Sequence, residues 1–283
     1  MSKKQTAGAC GPQGENHERA LARLIESTAR HRGRLEVFSD FVELSALAVS
    51  NTVDRRQFEA REARYLEIAK QYPAEEFERF PRMLGHLTLA LEQHCAVGEL
   101  GDVLGQVYMQ LGLGNGRAGQ FFTPYTISRM MALMLVGDGA EARAKGFIDV
   151  LEPACGAGGM VIAVADALDQ AGLNRQGAMH ATCIDIDARC VHMTYLQASL
   201  LHIPAIVLHG NSLSGEVWNC WYTPAHVLGG WRTRLSARRR HEPVPVVLED
   251  ARAPATDPAP PAHRRPQVSP GLVQQLSLFG LEK

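Results

Sequence analysis

An α/β fold is predicted by three observations in the 283-residue sequence. From about residue 18 to residue 114, apolar residues recur three and four apart, the period of helices packed through one face. Residues 115–230 change texture and alternate short apolar runs with helical stretches, the pattern of a parallel sheet joined by crossover helices. Three glycines crowd the first junction of that kind, in "VLEPACGAGGM", residues 150–160. Together these features place a Rossmann-like sheet behind a helical domain.

Residues 1–17 show no periodic pattern and are expected to be disordered. In the helical domain, "ALARLIESTA", "LEVFSDFVELSALAVSNTV", "RRQFEAREARYLEIAKQY", "FPRMLGHLTLALEQHC" and "LGDVLGQVYMQLGL" each present one apolar stripe. Pro73, Pro81 and Gly98 punctuate them. These stripes read as core, with no chemistry of their own. The first strand is expected in "GFIDVL", followed by a helix in "MVIAVADALDQAG" that Gly172 closes. "MHATCI" reads as the second strand, "DARCVHMTYLQASLLHI" as the second helix and "AIVLHG" as the third strand. From residue 231 to residue 283 the composition shifts. Arg232, Arg234 and Arg238–Arg240 form a basic cluster, and prolines concentrate between Pro243 and Pro270. Such a stretch buries too little apolar surface to order itself and is expected to be an extended or disordered tail.

Charge and cysteine content narrow the function classes. Lys plus Arg number 29 against 30 Asp plus Glu, so nothing pulls the whole molecule toward nucleic acid, and any such contact needs a local patch. Cys10, Cys95, Cys155, Cys183, Cys190 and Cys220 form no C-x-x-C pair and read as reduced thiols of a cytoplasmic protein. The 11 histidines are scattered, so the spacing gives a metal site little support. No apolar run is long enough to span a membrane.

The glycine turn suits a ligand that approaches the backbone. Gly156, Gly158 and Gly159 carry no side chains to obstruct it, and a helix start supplies N–H donors. A dinucleotide prefers G-x-G-x-x-G, yet here Met160 follows G-x-G-G. Asp185, 29 residues beyond Gly156, is the carboxylate placed to bind ribose hydroxyls; Asp187 is the alternative. A purely structural turn is the third reading.

"GQFFTPYTISRMMALML", "DVLEPACGAGGMVIA" and "CIDIDARCVHMTYLQASLL" resemble, in order and at family spacing, the adenine-N6 DNA methyltransferases. The likeness covers residues 98–213 and is nearest to the modification subunits of type I restriction systems. It implies a Rossmann-like S-adenosylmethionine-dependent methyltransferase sheet, with DNA as substrate and a specificity subunit as a possible partner. It also implies that Phe122, Thr123, Glu152, Pro153, Ala154, Gly156, Gly158, Asp185 and Asn211 surround S-adenosylmethionine. On that reading the turn backbone, Glu152 and the Thr123 hydroxyl hold the amino-acid end, and Asp185 holds the ribose diol. The Asn211 amide oxygen then accepts from the adenine amine.

The family's N-P-P-Y element, which accepts from the target amine and stacks the flipped base, is not found. "NCWY" keeps its first and last letters in Asn219 and Tyr222, but follows Asn211 too closely for a helix and a fourth strand. "VPVVLED" offers a candidate fourth strand ending at Asp250, with no strands behind it to complete seven. The sheet is therefore expected to be cut short. Trp218, Trp221, Tyr222 and Trp231 read as core, with base stacking as the sharper alternative. "QLSLF" resembles the pentapeptide by which bacterial proteins bind the replication sliding clamp, with Gln275, Leu276, Leu278 and Phe279 as contacts. Two functions follow: a DNA adenine-N6 methyltransferase of a bacterium or mobile element, or a non-catalytic, cofactor-binding module associated with DNA or the replisome.

Overall fold

The computed structural model describes residues 15–114 and 122–241. The chain divides into two units, residues 1–234 and 235–283. The first opens with six helices: α1 His17–Thr28, α2 Arg34–Val53, α3 Phe58–Ala69, α4 Ala74–Phe77, α5 Arg79–Ala96 and α6 Val103–Gln110. Side-chain caps fix two of their starts. Asn16 accepts from the Arg19 N–H at α1, and Asp102 accepts from the Gly105 N–H at α6. The stripes meet as expected: Leu21 and Ile25 of α1, Val37, Phe38 and Phe41 of α2, and Phe80, Met83 and Leu87 of α5 are all buried in one core.

After α7 Tyr125–Val136 and α8 Ala140–Lys145, the alternation begins. The order is β1 Ile148–Glu152, α9 Gly159–Gln170, α10 Arg175–Ala178, β2 Met179–Asp185, α11 Ala188–Leu200 and β3 Ala205–Asn211. β1, β2 and β3 are parallel neighbours, with Ile148 opposite Met179 and Ala181 opposite Ala205. The α/β expectation therefore holds, and so do its three strands.

The chain then departs from expectation. Instead of a crossover helix, a tight turn leads into β4, Glu216–Tyr222, which pairs antiparallel to β3 at the sheet's outer edge. The sheet order is β1-β2-β3-β4, so β1 forms the other edge among the described residues. "NCWY" therefore lies in a strand. A bulge between His209 and Gly210 bends this hairpin. Only glycine suits position 210, where a Cβ would lie 2.3 Å from the Glu216 carbonyl oxygen.

α12 Pro224–Leu228 and α13 Trp231–His241 follow. The expected extended tail is thus helical at its start. Trp231 explains the order: it is fully buried and meets Phe147 edge-on at 4.9 Å, and the Arg234 guanidinium lies 3.6 Å over its ring. Trp221 is also core, edge-on to His192 and tilted against Tyr195, whereas Trp218 is half exposed. In the second unit, α13 continues to His241, where Arg240 Nε donates to the Ser236 carbonyl. Asp250 and the peptide Gln275–Phe279 lie outside the described residues.

Buried polar contacts tie helices to sheet within the first unit. Arg61 of α3 donates to the Cys220 carbonyl of β4 at 2.9 Å, and Gln57 Nε2 donates to the same oxygen at 3.3 Å. No helix among the described residues is long and apolar enough to cross a membrane.

Candidate cofactor site

The carboxyl ends of three parallel strands carry Glu152, Asp185 and Asn211, stepped by two residues from strand to strand. This is the end of an open α/β sheet where ligands bind. Between β1 and α9 the chain turns through Gly156 and Gly158, with φ of 55° and 90°. A side chain is strained at both positions. A Cβ on Gly156 would also sit 3.0 Å from the Phe122 ring, and one on Gly158 would sit 3.2 Å from Thr194 Oγ1.

Helix α11 holds this turn in shape. Thr194 Oγ1 donates to the Gly156 carbonyl at 2.9 Å, and Gln197 Nε2 donates to the Ala157 carbonyl at 2.8 Å. Gln197 is oriented in turn by Asp102 Oδ1, which accepts from its amide, and by the Leu104 N–H, which donates to its oxygen. Asp102 is buried, and burial raises its pKa above the usual carboxylate value. The turn's carbonyls are thus pinned inward. Sequence spacing gives no sign of these three, because Thr194 and Gln197 bond the turn from 38 and 40 residues away and Asp102 meets Gln197 across 95 residues.

Asp185 closes the turn from the other side. Its Oδ2 accepts from the Gly156 N–H at 2.8 Å, and its Oδ1 accepts from the Asp187 N–H at 2.9 Å. Each oxygen keeps a second lone pair, enough for a vicinal diol. The alternative acid is otherwise engaged, since Asp187 caps α11 by accepting from the Arg189 N–H and pairs with the Arg189 side chain at 3.2 Å. Glu152 is half-buried; burial pushes its pKa up, the Ala154 N–H bond opposes the rise, and the Asp185 charge adds a smaller push upward. A cation beside Glu152 would relieve both upward pushes. The glycine cradle and the two carboxylates fit a cationic sulfonium nucleoside with a free ribose diol.

The other expected residues divide. Phe122 packs on Tyr108 with ring centres 5.1 Å apart and reaches the turn, while Pro153, Ala154 and Thr123 are exposed at its mouth. Asn211 corrects an expectation. Its amide oxygen already accepts from the Leu213 and Ser214 N–H groups at 2.9 and 3.3 Å, so it shapes the turn into β4 and is not free to accept from an adenine amine. Asn219 Oδ1 accepts from the Cys220 N–H. Tyr222 pairs with Ile206, at the opposite end of β3 from Asn211, so it does not approach this site.

Residues 99–227 match the family model described as N-6 DNA Methylase. That segment, under half of the chain, is similar to the N-6 DNA methylases. The matched segment spans α6 to α12 and so contains every element that builds the turn. No curated protein matches the chain. A solved Listeria monocytogenes structure, assigned provisionally to the class I S-adenosylmethionine-dependent methyltransferases, aligns at 19% identity with a TM-score of 0.36. The alignment covers 70% of this chain and 54% of that one, so this chain spans about half of that protein's length.

Proposed function

We propose that this protein binds S-adenosylmethionine and acts as a DNA adenine-N6 methyltransferase-like protein of a bacterium or mobile element. The observation that carries the reading is Asp185, which braces the glycine turn through the Gly156 N–H and keeps lone pairs for a diol. Glu152 would face the cationic groups, and the backbone from Pro153 to Gly158 would cradle the amino-acid end. When bound, the cofactor supplies a methyl group activated on sulfur. Gly156 and Gly158 admit it close to the backbone, Thr194 and Gln197 hold that backbone still, and Phe122 walls one side.

The position of Tyr222 favours a second reading, a cofactor-binding module that does not itself methylate. The strand that carries Asn219 and Tyr222 runs away from the site, so Tyr222 is not placed to stack a base beside the turn. Expression in a methylase-deficient host, followed by digestion of its DNA with methylation-sensitive nucleases, separates the two. Newly protected sites establish methyl transfer. Unchanged DNA from a host making protein that binds the cofactor in vitro, also when a specificity subunit is co-expressed, supports the module.

A further inference from the structure

Histidines scattered in the sequence meet in the fold. Glu15, His17 and His86 bring one ligand atom each to within 4.8 Å of one another, where the start of α1 lies against α5. His17 Nδ1 and His86 Nδ1 face each other at 3.0 Å, with ring centres 5.2 Å apart and planes 37° from parallel. Both rings are half-buried, and Glu15 is exposed. The geometry points to a divalent transition-metal site, of the Zn²⁺ class, formed by Glu15, His17 and His86.

Chemistry and preorganisation both support it. Two imidazoles and one carboxylate make a borderline nitrogen–oxygen set, which suits Zn²⁺ and not the all-oxygen preference of Mg²⁺ or Ca²⁺. Zinc–nitrogen bonds of about 2.0–2.1 Å in a tetrahedron place two ligand nitrogens about 3.3 Å apart, so the rings need to part by only a few tenths of an ångström. The backbone on either side of these residues is fixed by other contacts. Asn16 caps α1, and Gln93 Nε2 of α5 donates to the Glu15 carbonyl at 3.1 Å. About two turns further along α5, His94 pairs with Glu18, the residue after His17, at 3.1 Å, which holds the two helices in register. Three protein ligands leave a fourth position open to water. The metal would act as a cross-link between α1 and α5, joining segments 69 residues apart.

Titration of the 283-residue chain with Zn²⁺ by calorimetry, and with Co²⁺ by visible absorption, tests the site. The parent should bind one equivalent of Zn²⁺, melt at higher temperature with it, and show Co²⁺ ligand-field bands without a thiolate charge-transfer band. His17→Ala and His86→Ala should each weaken binding at least ~100-fold, while His31→Ala, at an exposed position, should not. Because α1 packs on α5, circular dichroism must show that each variant folds, and His86→Gln supplies a milder replacement. The assignment is overturned if the parent binds no Zn²⁺, as a plain imidazole–imidazole hydrogen bond would have it. Unaltered binding in the folded His17→Ala, His86→Ala double variant overturns it equally.

Discussion

Arg61→Ala is expected to cost about 3–5 kcal/mol of folding stability. The Arg61 side chain is 5% exposed and its partner Asp54 is 9% exposed, with Nη1 3.0 Å from Asp54 Oδ2. Nη1 also donates to Ser50 Oγ, Nη2 donates to the Cys220 carbonyl at 2.9 Å, and the guanidinium lies 4.0 Å over the Trp221 ring. Burial lowers the Arg61 pKa, and the Asp54 charge opposes that shift. Alanine would remove the cation, the stacking and the tie between α3 and β4 together, leaving a buried carboxylate without its partner. Arg64 serves as the comparison, because its pair with Glu43 at 2.7 Å is 42% and 21% exposed. Arg64→Ala should cost less than about 1 kcal/mol. Urea unfolding of the two variants checks this. Equal costs would show that the buried cluster does not hold the helices to the sheet.

Acidification should destabilise the fold steeply between pH 6.5 and 4. Burial, as the first cause, lowers both His192 and His226 from 6.5 to about 4. His192 packs edge-on to Trp221 and senses Glu43, which opposes the shift, and His209, Arg61 and Arg64, which reinforce it. His226 bonds His180 at 2.8 Å and senses Arg232. A base whose folded pKa is depressed stabilises the fold fully above its unfolded value. That stability is lost as pH falls through the folded value, because the unfolded chain then takes up the proton first. Each histidine accounts for about 3 kcal/mol across that window. His94 works in the opposite sense, its pKa raised first by the bond to Glu18, but its side chain is 33% exposed and its share is small. Asp102, with its raised pKa, is also most favourable at low pH and loses its contribution as pH rises. Urea midpoints at pH 7.5 and 4.5 measure the balance. His192→Phe should recover part of the acid loss, and identical midpoints for the parent would refute the account.

Local periodicity made α1, α2, α3, α5, α6, α9, α11 and the three parallel strands legible, because each shows its buried face within a few residues of sequence. The glycine turn and Asp185 were legible for a related reason, since their backbone demands are written in residue type. β4 is not legible although "NSLSG" is a turn signal, because the family pattern places a crossover helix and a later strand there. The ligand role that the resemblance implies for Asn211 gives way to that same turn, which takes up its amide oxygen. α13 reads as a linker by composition, yet one buried tryptophan docks its start. Gln197 and Asp102, 95 residues apart, became partners of the turn only through the meeting of α6 and α11. Periodicity does not encode such meetings.

The glycine turn and Asp185 are most directly tested by calorimetric titration of S-adenosylmethionine into the parent protein and into Asp185→Ala, with circular dichroism confirming that both fold. The parent is expected to bind one equivalent. Losing two charge-assisted hydrogen bonds, at about 1.5–3 kcal/mol each, should weaken the variant by at least ~100-fold. Equal affinity in the two proteins, or no binding by the parent, would contradict a cofactor site at this turn.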